Sequence, residues 1–356
     1  MNFPTSTHRR KWIFESGALD AKRAAAYEAS RERVKQLWAE ELEGVAREEE
    51  WQPLDLEEDL LLQKYYQKKI QEVCRSVLHL PPKVAASAIQ LFKRFTLSTS
   101  LLEHDAVKLM LTCIYVACKV EESYLNVEDL CTRLSLRDYK GAVLENEVLL
   151  LQAVDFDMVI YNAFRPLDGL FASLQEWVGA GREGGAPEAL FEGGESRLAE
   201  ARSAATSAID ALQLSDAPLL HPPGLLALAA MKNGLRVLSK EEGLFATVLH
   251  HILLRKRETV ESSVATNGGE DVAASVLAGI AAVDKLGMAG AEKLSGDNLK
   301  TLDLKLRKCR SPLLNSQSRL SKAAREERRA SKVGATRSSK SEQSAKRQRA
   351  EEATPA

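Results

Sequence analysis

The chain has 356 residues, a formal net charge of −1 and a hydrophobic content of 45%, which is enough for a real core and roughly two domains. The balanced charge argues against generic nucleic-acid affinity. Five cysteines without paired short spacings argue against a disulfide framework and a metal site. We find no P-loop, dinucleotide, zinc-protease or hydrolase motif, and no leader or run of 18 apolar residues. These observations predict a non-enzymatic protein with no cofactor, outside the membrane.

The first half of the chain has the apolar periodicity of α-helices and no alternating strand pattern. A charged, alanine-rich helix is predicted over 16–50. The following helix has one apolar face and ends before Pro81-Pro82. That face consists of Leu62, Tyr66, Ile70, Val73 and Val77. Pro82 is expected in the first turn of the next helix. These patterns predict an all-helical protein.

The rest of this half contains three more predicted helices. Asp105 is expected to cap a helix over 106–120, which is apolar nearly all round and therefore surrounded by other helices. Asn126 is expected to cap a short helix. A helix over 141–154 has an apolar set that comprises Val143, Leu144, Val148, Leu151 and Val154.

A second set of helices follows. Arg165-Pro166 opens the first of them, and a glycine-rich stretch over 179–194 predicts a flexible loop. Further helices are predicted over 196–214, over 223–238, after Ser239 with Glu242 in a capping box, and near 271–286 and 297–309. Leu102-x-His104 and Leu220-His221 each precede an apolar helix, which is a weak sign of a duplicated unit.

We therefore predict an N-terminal helical extension over 1–58, five-helix units over 59–160 and 161–288, a C-terminal helix over 289–316, and a disordered basic tail over 317–356. From Arg319 onward the tail has a net charge of +6 and almost no large apolar residues. Its Lys346, Arg347 and Arg349 form a candidate nuclear import signal. An inert solvated tail and weak phosphate contacts are the alternatives.

Two charged residues beside apolar runs are candidate binding residues. Lys119 follows the apolar run near the end of the helix over 106–120, and Glu147 precedes the run Val148–Leu151. In the simpler interpretation Lys119 offsets a helix dipole and Glu147 lies on a solvated face. In the alternative interpretation they pair in space and orient a partner. His221, His250 and His251 lack the surrounding ligands of a metal site.

Several sequence blocks, in order, resemble the cyclin box, and among cyclins they are most similar to the cyclin H family. The blocks in the first unit are Tyr65-Tyr66-Gln67-Lys68-Lys69, Leu91-Phe92-Lys93-Arg94-Phe95, Leu111-Thr112-Cys113 and Ala117-Cys118-Lys119-Val120-Glu121-Glu122. The blocks that favour cyclin H are Arg9–Phe14, Leu144–Glu147 with Phe156, Asn162–Pro166 with Gly169, and Leu214–Leu220. The resemblance covers roughly 8–310 and implies two tandem five-helix cyclin folds with flanking helices.

The resemblance also implies a regulatory subunit that binds and activates a cyclin-dependent kinase, with no active site of its own. It implies a kinase-binding surface formed by Lys119, Glu122 and Glu147 with the apolar residues Leu151, Phe156 and Met158. Further expectations are a third assembly subunit, a place in the general transcription factor TFIIH, phosphorylation of kinase activation loops and of the RNA polymerase II tail, and a nuclear location. No specific nucleic acid is expected as a partner.

Two departures from the cyclin pattern limit what can be transferred. Many cyclins have an aspartate where this chain has Lys93, so the salt bridge made by that aspartate should be absent. The first helix lacks the substrate-docking pattern of cell-cycle cyclins. The alternatives are a transcription cyclin with a different kinase, a TFIIB-like DNA-binding factor and a plain helical scaffold.

Overall fold

The computed structural model describes residues 2–43, 51–181, 184–191, 194–239, 242–258, 269–290 and 296–327, and the regular elements in these ranges are all helical. The helices are α1 (Thr7–Trp12), α2 (Ser16–Glu41), α3 (Leu56–Glu72), α4 (Pro82–Thr96), α5 (Ala106–Val120), α6 (Val127–Arg133), α7 (Lys140–Ala153), α8 (Phe164–Gly179), α9 (Gly194–Gln213), α10 (Ala217–Leu220), α11 (Pro223–Leu235), α12 (Glu242–Glu258), α13 (Gly269–Gly290), α14 (Gly296–Cys309) and α15 (319–327). The predicted all-α class is confirmed. Within the described ranges, no helix combines the length and apolarity that crossing a bilayer requires.

Helices α3 to α7 form the first unit, with α5 at its centre. α5 packs against α3, α4, α6 and α7, and ten of its residues are buried, as its all-round apolarity predicts. The side chain of Asp105 accepts hydrogen bonds from the N–H groups of Val107 and Lys108, which confirms the predicted cap. The predicted cap at Asn126 is also confirmed, since its side chain accepts from the N–H of Glu128.

The second unit repeats this arrangement around α11. This helix packs against α8, α9, α12 and α13. Its first residue, Pro223, lies 117 residues after Ala106, the first residue of α5. The sequence similarity before the two helices therefore reflects a duplicated unit, and the predicted tandem cyclin folds are confirmed.

Two details of the N-terminal half differ from prediction. Helix α2 ends at Glu41 instead of extending to residue 50, and residues 44–50 lie outside the described part. Val77 does not share the buried face of α3, since 42% of its surface is exposed. The cause is a π-helical turn over Val73–Val77, which adds a residue to the turn and buries Cys74 in place of Val77.

The beginning of the predicted disordered tail is ordered. Residues 319–327 form α15, and the carboxylate of Glu41 accepts hydrogen bonds from the N–H groups of Arg319 and Leu320. An acidic group at a helix N-terminus satisfies N–H groups that have no partner inside the helix. This contact with α2, invisible to a composition argument, corrects the prediction for residues 318–327, and residues 328–356 lie outside the described ranges.

The glycine-rich stretch also has more structure than a flexible loop. Gly184 accepts a hydrogen bond from the indole of Trp177, and Leu190 is buried in the core of the second unit. These two contacts fix parts of the stretch to α8 and to the core, and residues 182–183 and 192–193 are outside the described part.

Polar contacts join the two units. Arg23 on α2 forms a bidentate ion pair with Asp216, with N–O distances of 2.6 and 2.8 Å. The buried ammonium of Lys93 donates to the carbonyl oxygen of Ser215. Burial lowers the Lys93 pKa to about 7. The position at which the cyclin pattern has an aspartate is thus a lysine that links the first unit to the second.

Candidate functional site

Lys119 and Glu147 meet on the surface of the first unit. The Nζ atom of Lys119, in the last turn of α5, lies 2.6 Å from Oε1 of Glu147 on α7. Their side chains are 43% and 21% exposed. The spatial pairing considered from the sequence is therefore present, and the location of Lys119 at a helix C-terminus is favourable at the same time.

The ring of Tyr115 contacts the lysine of this ion pair. The Nζ atom of Lys119 lies 4.3 Å from the centre of the Tyr115 ring, one helical turn earlier on α5. Desolvation alone would lower the Lys119 pKa, but its hydrogen bonds to Glu147 and Tyr115 outweigh that effect and raise the pKa. The lysine is therefore a fixed positive charge at neutral pH.

The segment that contains Glu147 exposes several apolar side chains. Six of the eleven large hydrophobic residues that are exposed in the described ranges lie between residues 124 and 159. They are Tyr124, Leu144, Val148, Leu149, Phe156 and Val159. Scattered exposed apolar residues are ordinary, but a cluster beside a charged pair is typical of an interaction surface. We call these six residues together with Lys119 and Glu147 the charged–apolar surface.

The register of α7 produces the apolar part of this surface. Val143 and Leu150 are buried in the core, as is Val154 after the helix end. Leu144 and Val148 lie four residues apart on one exposed face of α7, and Leu144 also lies three residues before the partly exposed Glu147. The apolar set predicted for this helix joins Leu144 and Val148 with Val143 and Val154, and the structure separates the exposed first pair from the buried second pair.

The predicted apolar contact residues differ in exposure. Phe156 is 63% exposed, whereas Leu151 and Met158 are half-buried and pack against the first core. Glu122 is exposed just after α5, in a left-handed conformation with φ of 56°. The structure thus brings Lys119 and Glu147 into contact and leaves Phe156 as the most exposed of the three predicted apolar residues.

Sequence reasoning missed Tyr124, Val159, Leu149 and the outward direction of Leu144 and Val148. For Leu144 the signal was available, since it lies three residues before Glu147, and Val148 shares the face of Leu144 because it lies four residues after it. Tyr124, which is 81% exposed, lies in the turn after α5, where no periodicity applies. The import candidates Lys346, Arg347 and Arg349 lie outside the described residues.

The described residues contain no cluster of three or more His, Cys, Asp or Glu side chains suited to a metal ion. All five cysteines are buried free thiols. Burial raises the pKa values of Cys74 to about 12 and of Cys118 to about 11. These thiols are therefore core residues.

Comparison with known proteins supports the resemblance to cyclins. The family described as "Cyclin, N-terminal domain" matches residues 55–159, which include all of the first unit from α3 to α7. Cyclin-H1-1 of Arabidopsis thaliana is 32% identical over 248 residues, which are 65% of this chain and 70% of that protein.

Two solved structures are similar in fold. A chain in the CAK complex of Chaetomium thermophilum bound to ATP-γ-S matches with a TM-score of 0.71 and 20% identity, covering 92% of this chain and 94% of that one. A chain in the yeast TFIIK complex (Kin28/Ccl1/Tfb3) matches with a TM-score of 0.56 and 22% identity, covering 80% of this chain and 100% of that one. With its tandem five-helix units and its similarity to the Arabidopsis protein over most of that protein's length, the chain belongs to the cyclin H family.

Proposed function

We propose that this chain is the regulatory, non-catalytic subunit of a cyclin-dependent kinase and that the charged–apolar surface binds the kinase. The observation that carries the proposal is the partly exposed Lys119–Glu147 pair, together with the exposed apolar side chains of α7 and of the segments after α5 and α7. An apolar patch supplies binding energy, and a fixed pair of opposite charges supplies orientation. In a member of the cyclin H family, the fitting partner is the catalytic subunit of the CDK-activating kinase.

Activation by such a subunit is a shift in kinase conformation. An active protein kinase pairs its β3 lysine with a glutamate on helix αC. A cyclin that binds only the conformation with αC turned inward increases the population of that conformation. A shift from 1:99 to 99:1 needs a differential affinity of about 5.5 kcal/mol. An interface of roughly 2,000 Å² is large enough to provide it.

The relatives suggest the larger assembly. One similar chain comes from a CAK complex and another from TFIIK, which contains Kin28 and Tfb3 beside the cyclin-like Ccl1. We propose by analogy that this chain joins a kinase and a third assembly subunit within the TFIIH kinase module, in the nucleus. Its kinase would then phosphorylate both kinase activation loops and the RNA polymerase II tail.

Co-expression with candidate cyclin-dependent kinases tests the proposal. The purified complex is assayed on an activation-loop peptide and on a polymerase-tail repeat peptide. We expect activity on both peptides. We also expect Glu147→Lys to reduce kinase affinity at least about tenfold, because it puts a second positive charge beside Lys119 and removes the negative charge that faces the kinase. Asp168→Lys is the matched control, because it breaks the exposed Asp168–Arg202 pair in the second unit.

A charge swap separates recognition from folding. The double variant Lys119→Glu with Glu147→Lys restores an internal ion pair but reverses its direction toward the partner. Continued weak binding by a folded double variant supports recognition of these charges by the kinase. Full recovery would show that the pair matters only inside this chain.

The co-expression assay with the wild-type chain has two further outcomes. Activity on the polymerase repeat alone would indicate a transcription cyclin of another type, and no kinase binding would contradict the proposal.

Nuclear import is tested on the tail. We propose that Lys346, Arg347 and Arg349 act as an import signal. Their replacement by alanine in a fluorescently tagged full chain should reduce nuclear accumulation. The control replaces Arg325, Arg328 and Lys332, which are also basic but lie closer to the folded part. Unchanged accumulation in the first variant would contradict the signal.

A further inference from the structure

Helix α1 is attached to the turn that carries Phe156 through one carboxylate. The two oxygen atoms of the buried Asp157 accept from different α1 residues. Thr7 Oγ1 donates to Oδ1 at 2.5 Å, and Trp12 Nε1 donates to Oδ2 at 2.9 Å. Beside them, Lys11 Nζ lies 3.3 Å from Oδ2 of Asp155. Three α1 side chains therefore reach the two neighbours of Phe156.

The turn itself has an unusual backbone. Asp155 and Phe156 have φ values of 53° and 56°, two successive non-glycine residues in the left-handed region. Each such residue is unfavourable by about 1 kcal/mol or more, so the turn needs support from its surroundings. Phe156 N–H donates to the Leu151 carbonyl oxygen at 2.8 Å, and the ring of Phe156 is left mostly in solvent.

The other side of the attachment is buried. Arg94 is fully buried on α4, and its NH1 donates to the carbonyl oxygen of Asp157 at 3.1 Å. Its guanidinium carbon lies 4.7 Å from the centre of the Trp12 ring. At the start of α1, Nδ1 of the buried His8 accepts from the N–H of Tyr161 at 3.0 Å. The contacts bind α1 to both α4 and the segment after the turn.

We propose that Thr7 and Trp12 are positioning residues for kinase binding. By holding both oxygens of Asp157 they fix the left-handed turn and present Phe156 to the kinase in its bound conformation. This inference rests on the proposed function, in which Phe156 belongs to the kinase-binding surface. Fixing a contact residue before association removes the cost of ordering it during association, so the kinase binds more tightly without touching α1.

A double-mutant cycle in the full-length chain tests this role. Thr7→Val and Trp12→Phe each remove one donor to Asp157 while keeping most of the side-chain volume. Kinase affinity is measured for each variant alone and combined with Phe156→Ala. The matched controls are Thr206→Val and Trp177→Phe in the second unit. These remove a threonine donor to the Arg202 carbonyl and an indole donor to the Gly184 carbonyl.

We expect each α1 variant to weaken kinase binding about tenfold and its control to have little effect. In the Phe156→Ala background, the α1 substitutions should change the affinity by less than about twofold, because the residue they position is gone. Amide exchange of Phe156 in the free protein should become faster in the α1 variants and not in the controls. A purely structural contribution would not produce this coupling.

The outcomes distinguish the two proposals. If the wild-type chain binds no cyclin-dependent kinase, the proposed function fails and this inference fails with it. If the wild-type chain binds and the α1 variants bind equally well, only the inference is overturned. An undiminished tenfold loss in the Phe156→Ala background would also overturn it, because α1 would then act on binding independently of Phe156.

Discussion

The two five-helix units share an architecture and differ in what surrounds it. The core of the first unit includes residues from α1, α2 and α14, such as Trp12, Val34 and Leu306. Among the described residues, the buried members of the second core lie between residues 163 and 283. The terminal helices therefore belong structurally to the first unit.

The surfaces differ as much as the cores. Between residues 124 and 159 the first unit exposes six large hydrophobic residues beside an ion pair, whereas the described residues of the second unit expose only Val237 and Leu277 of this kind. A duplicated fold thus carries its candidate binding site in one copy only. The comparison shows that the helical framework alone does not determine the site, which depends on the residues at its outer positions.

The largest expected effect comes from a charge at the centre of the first unit. Leu111 on α5 is fully buried, so Leu111→Asp places an unpaired carboxylate in an apolar core. We expect a loss of at least about 4 kcal/mol in the free energy of unfolding, with no cooperative folding of this unit. Thermal unfolding followed by circular dichroism measures it, with the exposed Leu304→Asp as control. A cooperatively folded Leu111→Asp variant would contradict the assigned burial.

The next largest effect is expected from a substitution at the centre of the second unit. Gly234 on α11 lies where a Cβ atom would be 2.3 Å from the carbonyl oxygen of Ala201 on α9. The twelfth residue of α11 is this glycine, while the twelfth residue of α5 is Ala117, so the two central helices approach their neighbours differently. Gly234→Ala should therefore destabilise the protein by about 1–3 kcal/mol through overpacking.

Gly224 offers the matched control on the same helix. A Cβ atom at Gly224 would meet nothing within 4 Å. Gly224→Ala should leave the unfolding temperature unchanged or raise it slightly, because alanine restricts the unfolded chain more than glycine does. If both variants melt at the wild-type temperature, the close approach of α9 and α11 is not a packing constraint.

The framework was largely predictable because helices leave periodic signals. These signals come from residues close in sequence: the prolines at the start of α4, the caps at Asp105 and Asn126, and the apolar residues of α5. The same local signals could not locate the π-helical turn. Only the packing in the fold, which buries Cys74 and exposes Val77, shows that this turn contains an extra residue.

The site was predictable only in part, for the same physical reason. Resemblance to cyclins pointed to Lys119 and Glu147. These residues are 28 positions apart on two different helices, so their contact could be established only from the fold. The attachment of α1 to Asp157 spans about 150 residues, and no periodicity links such distant positions. Burial of Lys93 against Ser215 is equally non-local. Long-range polar contacts are therefore what the sequence left undetermined.

The smallest expected effect is a change with pH in the free energy of unfolding, caused by His8 on α1. Burial, followed by the positive charge of Arg94, lowers the His8 pKa from 6.5 to about 3, although Asp157 acts in the opposite direction. Between these values the unfolded chain binds more protons than the folded chain, so the free energy of unfolding falls as pH decreases. The stabilising effect of a neutral His8 is complete above pH 6.5 and should be reduced by about 1.4 kcal/mol at pH 5.5.

His8→Asn isolates this contribution, because the asparagine Oδ1 can accept from the N–H of Tyr161 but does not titrate near neutral pH. Denaturant unfolding at pH 7 and pH 5.5 should show a smaller loss of stability for His8→Asn than for the wild type. His221→Asn is the control, since His221 is half-buried beside α10 and burial lowers its pKa as well. An equal loss in wild type and His8→Asn would place the acid sensitivity elsewhere. A larger change in the His221 variant would assign it to the second unit.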